Sequence, residues 1–141
     1  MGNCIYKYKL NTCSKENTPK YSFKDQNKIC KVLDVYDGDT ITIAIKLERN
    51  IFKVKVRMFG YDSPEMKPLK ILNNREEIKK KALEAKKILE NKILNKIVNI
   101  EIKDFDKYGR LLGIIIYNEE NINNYMINNN YGYAYYGGTK K

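Results

Sequence analysis

The chain has 141 residues, enough for one domain with a buried core, and its 27 Lys and Arg outnumber 17 Asp and Glu to leave a formal charge of +10. That excess favours a polyanionic partner, nucleic acid or an acidic membrane surface. Histidine is absent, which excludes imidazole general bases, Ser-His-Asp hydrolysis and histidine zinc sites, so hydrolysis here must rest on carboxylates, arginines, a metal ion, tyrosine or lysine.

Residues 1–27 are polar, lysine-rich and without periodicity, and read as a basic, weakly ordered extension. At its start, Gly2 fits a myristoylation site and Cys4 a palmitate acceptor, the pair of anchors that stable membrane attachment requires, although Tyr6 stands where the pattern asks for Ser or Thr. No run is apolar enough for a signal peptide or a membrane span. With an odd set of thiols, Cys4, Cys13 and Cys30, and no C-x-x-C, an intracellular, cytoplasmic location is expected.

A second segment, 28–141, reads as the domain proper. Ile29–Val35 is a strand candidate ending in a turn at Tyr36-Asp37-Gly38. Ile41, Ile43 and Ile45 alternate with polar or small residues. After a polar loop over 46–50, Phe52, Val54, Val56 and Met58 alternate with Lys53, Lys55 and Arg57. Helical spacing of Ile78, Ala82, Ala85, Leu89 and Ile93 follows, with Asn74 and Glu77 placed for a capping box. Val98–Lys103 and the apolar, central Leu111–Tyr117 are two further strands, and Ile122, Tyr125 and Met126 mark a short last helix closed by Asn130 or Gly132. The order of three strands, a helix, two strands and a helix predicts an α+β, mainly β architecture. It is that of a five-stranded oligonucleotide-binding (OB-fold) barrel with helices packed on it.

Three loops concentrate charge. Asp37 and Asp39 flank Gly38; Arg57 precedes Asp62 and Glu65 around Pro64; Asp106 and Arg110 enclose a Tyr-Gly turn. Asp-Gly and Asp-Ser-Pro are also ordinary turn formers. In a closed, twisted barrel, however, the ends of non-adjacent strands converge. Clustered carboxylates with no histidine or thiolate beside them suit a hard ion, Ca²⁺ or Mg²⁺. Two guanidiniums can hold a phosphodiester bidentately. Glu65-Met66-Lys67 spells an E-x-K, a metal-nuclease signature of another fold, but that motif belongs on a strand and Pro64 opposes one.

Asp37-Gly38-Asp39-Thr40, Arg57-x4-Asp62-Ser63-Pro64-Glu65 and Asp106-Lys107-Tyr108-Gly109-Arg110 together resemble the three signatures of the thermonuclease, or staphylococcal-nuclease-like, family over about residues 28–138. The resemblance implies Asp39 and Asp62 as direct Ca²⁺ ligands with the Ser63 carbonyl as a third. It implies Asp37 as a carboxylate supporting them, and Glu65 as the group that positions or deprotonates the attacking water. Arg57 and Arg110 would clamp the scissile phosphate, Lys107 and Tyr108 would hold a terminal phosphate, and Tyr135 or Tyr136 would stack a base. The implied activity is Ca²⁺-dependent hydrolysis of DNA and RNA by a monomer, with the 5′ oxygen leaving and 3′-phosphate ends remaining. A barrel that has lost catalysis and only binds nucleic acid or protein is the alternative; Asp39, Arg57, Asp62, Glu65 and Arg110 are all present.

Overall fold

The computed structural model describes residues 2–71 and 73–136; residues 137–141, the end of the expected domain, lie outside them. Five long strands make a closed mixed barrel. β1 (Asn27–Val35), β2 (Thr40–Leu47) and β3 (Asn50–Met58) form an antiparallel meander, and α2 (Arg75–Ile93) leads into β5 (Ile97–Phe105) and β6 (Leu111–Tyr117). The hydrogen-bonded order runs β3-β2-β1-β5-β6, and a parallel pairing of β3 with β6, Val56 opposite Leu111, closes the ring. This is the architecture expected from the order of periodic segments.

Period-two alternation becomes the core directly. Ile41, Ile43 and Ile45 of β2 face inward with Val32, Val35, Val56, Met58, Ile100, Ile102, Leu111 and Ile115, all buried. α2 seals one end with Ala82, Ala85, Leu89 and Ile93, the four buried positions of its apolar stripe. Asn123 of α3 (Ile122–Asn128) locks the closure. Its Oδ1 accepts from the Ile115 N–H at 3.0 Å, and its Nδ2 donates to the carbonyls of Phe59 at 2.8 Å and Gly113 at 3.0 Å. One buried amide thus satisfies backbone groups on both sides of the seam.

Several expectations are corrected. The start of the chain is a helix, α1 (Gly2–Asn11), with no buried residue. A helix that buries no residue needs no apolar stripe, which is why its sequence shows no period. The barrel's packing begins ahead of residue 28: Phe23 is in the core, edge-on to Tyr21, and the Asp25 N–H donates to the Ile102 carbonyl at 2.8 Å. The capping box at Asn74 does not form. Its backbone (φ −102°, ψ 27°) is outside the extended region that aims a side chain at the first-turn N–H groups, and Glu77 pairs with Lys81 at 3.4 Å instead. Three two-residue strands carry no sequence signal: β4 (Tyr61–Asp62), β7 (Glu120–Asn121) and β8 (Tyr133–Ala134).

Candidate active site

The three charged loops meet at one end of the barrel. Antiparallel register sets Thr40 directly opposite Arg57, so Asp39, one residue before β2, stands beside the last side chain of β3. The chain then turns at Gly60, whose φ of +94° only glycine adopts without strain, and returns Asp62 toward the same point. Asp39 Oδ2 accepts from the Ser63 N–H at 2.7 Å and the Ser63 hydroxyl at 2.9 Å, tying the first loop to the second.

Gly38 makes that approach feasible by having no side chain. A Cβ there would stand 2.7 Å from Ser63 Cβ and 2.8 Å from Ala85 Cβ. The Asp-Gly pair is therefore more than a turn: it is the contact surface between two loops and α2. Tyr61, fully buried, fixes the same spot by donating its hydroxyl to the Gly38 carbonyl at 2.6 Å. Burial, together with the Asp39 charge nearby, pushes the Tyr61 phenol well above its ordinary range, so it remains a donor.

Arg57 spans the carboxylates. Its Nη1 lies 3.3 Å from Asp39 Oδ2 and its Nη2 donates to Asp62 Oδ1, while Nη1 also donates to the Tyr61 carbonyl at 2.9 Å. Lys53 and Lys55 are exposed, but the Arg57 side chain keeps only 15% of its accessible surface, so it does not continue their solvated row. Asp37 accepts from the Asp39 N–H at 3.0 Å. Burial first, then the neighbouring Asp39 charge, pushes the Asp37 carboxyl up to about 6.

The third loop supplies the opposite wall. Asp106 Oδ1 accepts from the N–H groups of Tyr108 and Arg110, and Oδ2 accepts from Arg110 Nε at 2.5 Å, so the Tyr-Gly turn is folded around one carboxylate that aims the guanidinium. Gly109, at φ +81°, provides the turn. Arg57, Asp62, Asp106, Lys107, Tyr108 and Arg110 line a cavity of about 590 Å³ that Tyr135 and Tyr136 complete. The tyrosines are held there by the pairing of β4 with β8, Asp62 opposite Tyr133, and by the Tyr135 N–H donating to the Gly60 carbonyl at 2.9 Å. Tyr136 packs edge-on against Phe59 and is exposed, as is Tyr108, whose ring lies 5.5 Å from the Arg110 guanidinium carbon.

Asp37, Asp39, Ser63 and Glu65 are not in the cavity wall. Asp39 reaches the wall through Arg57, and Glu65 is exposed just past the buried Ser63. Residues 63–69 form no strand, so the E-x-K reading has no strand to occupy. The roles of Asp106 and Asn123 were absent from the sequence reading. Asp106 is marked in the sequence by its place at the head of the Tyr-Gly turn and as the first residue of the third charged motif.

The donor set fits a hard cation. One guanidinium already bridges Asp39 and Asp62, so oxygens from two different loops lie within the span of a single positive group. Among the described residues no group of three or more acidic, cysteine or histidine side chains gathers. Such an ion would therefore take two carboxylates, with main-chain carbonyl and water completing its shell.

A closed barrel with Arg57, Asp62 and Arg110 on the wall of one cavity is of the OB-like class. The family follows from comparison: the model for staphylococcal nuclease homologues matches residues 55–141, and the chain belongs to that family. A relative described as an uncharacterized endonuclease of Haemophilus influenzae is 30% identical over 128 residues, 89% of this chain. The chain spans 57% of that relative's length.

Proposed function

We propose that this protein is a Ca²⁺-dependent nuclease that hydrolyses phosphodiester bonds of DNA and RNA and leaves 3′-phosphate ends. The observation that carries the reading is the convergence of the three loops: Asp39 bonded to Ser63, Arg57 bridging Asp39 and Asp62, and Arg110 on the wall of the same cavity. Family membership supports nuclease chemistry in general.

In this mechanism a strand enters the cavity with its scissile phosphate between Arg57 and Arg110. Their forked donors bind the non-bridging oxygens and neutralise charge as phosphorus becomes pentacoordinate. Asp106 keeps Arg110 in place, so little reorganisation accompanies the reaction. Lys107 and Tyr108 hold the adjacent phosphate, and Tyr135 or Tyr136 offers a ring face to the base. Glu65 orients or deprotonates the water that attacks in line with the departing 5′ oxygen. Asp39, Asp62 and the Ser63 carbonyl would hold Ca²⁺, which when bound polarises the phosphoryl oxygen and lowers the pKa of water.

Glu65→Gln tests the assignment. Turnover on single-stranded DNA should fall about 100-fold or more, in the range general-base loss produces, with substrate binding retained. Activity equal to wild type, or products ending in 3′-hydroxyl, would overturn it. α1 also leaves Gly2 and Cys4 exposed for acyl attachment at a membrane. Intact mass after expression with a myristoyltransferase reads that directly, and an unmodified mass would remove it.

A further inference from the structure

The chain after Glu65 lines a second groove, of about 650 Å³, whose lining shares no residue with that of the main cavity. Lys67 and Lys70 from the loop and Arg75 and Lys79 from α2 line it, and no acidic residue does. Its apolar surface includes Leu69 and Leu83, both large and exposed. Arg75 Nε donates to the Pro68 carbonyl at 3.2 Å, which fastens the loop to the start of α2. Glu76 pairs with Lys79 only loosely: its Oε1 is 3.9 Å from Lys79 Nζ, at the limit of an ion pair, and it is largely exposed. The groove is thus a net positive trough with an apolar lining.

We propose that this groove binds the backbone phosphates of a single nucleic-acid strand, on the far side of the scissile phosphate from the nucleotide in the main cavity. The proposal rests on the nuclease reading and extends it to an elongated substrate. Position carries the argument. Along the chain, the lining of the main cavity reaches Asp62, that of the groove begins at Met66, and Glu65 falls between them. A strand cut beside Glu65 must continue past it. Lys67 is two residues on, at most about 7 Å of chain, which brings its ammonium within reach of the next nucleotide. Cations for phosphates beside apolar surface for base faces is the composition that single-strand grooves use without reading sequence. A groove lined by the residues that continue the Glu65 loop suits a strand that runs on from the cut bond.

The triple variant K67Q/K70Q/K79Q separates the possibilities, because none of these residues belongs to the catalytic cavity. Cleavage is compared on a dinucleotide with one phosphodiester and on a single strand of roughly 20 nucleotides, longer than one barrel's footprint. The expected result is an unchanged dinucleotide rate and a loss of about 10- to 100-fold in kcat/KM on the long strand. The salt dependence of long-strand binding should become shallower by about 2 in logarithmic slope, as three lost phosphate contacts dictate. An equal loss on both substrates, or none on either, would overturn the proposal. If wild-type protein cuts neither substrate, the nuclease reading fails by itself. Anisotropy of a labelled strand in chelator still reads the groove: weaker binding by the variant supports it, and equal binding overturns it. Lost binding to phosphatidylserine vesicles with unchanged strand binding would assign the groove to a membrane and equally overturn it.

Discussion

Gly38→Ala adds one methyl group where the Asp37–Thr40 loop meets the loop that carries Asp62 and Ser63. The new Cβ would sit 2.7 Å from Ser63 Cβ and 2.8 Å from Ala85 Cβ, each more than half an ångström inside ordinary contact. Neither neighbour is a flexible tip. Ala85 is fully buried on α2, and Ser63 is held by two hydrogen bonds to Asp39. Relief therefore requires a shift of the loop, and overpacking of this kind costs about 1–3 kcal/mol. For a domain of this size that lowers Tm by roughly 4–12 °C. The shift acts on the Asp39–Ser63 contact, so cleavage should also fall at temperatures where the variant is fully folded. Thermal denaturation followed by circular dichroism, with cleavage assayed well below both midpoints, measures the two effects. A variant within 1 °C or so of wild type, a change of a few tenths of a kcal/mol, and equally active would refute the claim that the glycine is required for loop contact.

Asn123→Ala should lower stability by about 2–4 kcal/mol, read from the urea midpoint at constant m-value, because it strands the Ile115 N–H and loses the bonds to Phe59 and Gly113 at the barrel seam. Arg57→Lys and Arg110→Lys should each reduce kcat by about 10²–10³ with the fold intact, since an ammonium cannot reproduce the fork. Near-normal kcat would remove that arginine from the clamp. Asp106 carries a pH signature. Burial opposes its ionisation, yet the Arg110 N–H, the Arg110 guanidinium and the Tyr108 N–H outweigh burial and hold the carboxyl below its ordinary value. Its stabilising contribution is thus present in full above the unfolded carboxyl's pKa of about 4 and lost as pH falls through the lower folded value. The stability advantage of wild type over Asp106→Asn should shrink on acidification below about pH 4, and a constant difference across that range would refute the pairing.

What the sequence revealed about this molecule follows the range of the forces involved. Alternation at Ile41, Ile43 and Ile45 is a local consequence of the pleat, and it carried both the strand and its inward face. The charged loops were visible because their residue types are rare in combination and their order is fixed along the chain. Arg57 looked like the end of a basic row, since strand parity alone gives it the same face as Lys53 and Lys55. Only the return of Asp62 and the register with Thr40 change its surroundings. Gly38 read as a turn former because the bodies it must admit, Ser63 and Ala85, arrive from 25 and 47 residues further along. The position of Tyr135 and Tyr136 is likewise set by residues distant in the chain. They are fixed by a two-residue pairing with Tyr61 and Asp62, too short to leave a periodicity. The helix at the start of the chain was illegible for the opposite cause: it contacts no core that would impose a pattern.

The proposal that Asp39, Arg57, Asp62 and Arg110 form one cation-dependent phosphodiester site is tested most directly by cleavage of single-stranded DNA in Ca²⁺ and in excess chelator, for wild type and Asp39→Asn. Wild type should cut with Ca²⁺ and be silent in chelator. Ca²⁺ should also raise its Tm, as any ligand that binds only the folded state must. Asp39→Asn should lose both responses. Equal cleavage by wild type in chelator, or an undiminished Ca²⁺ response in Asp39→Asn, would contradict the account.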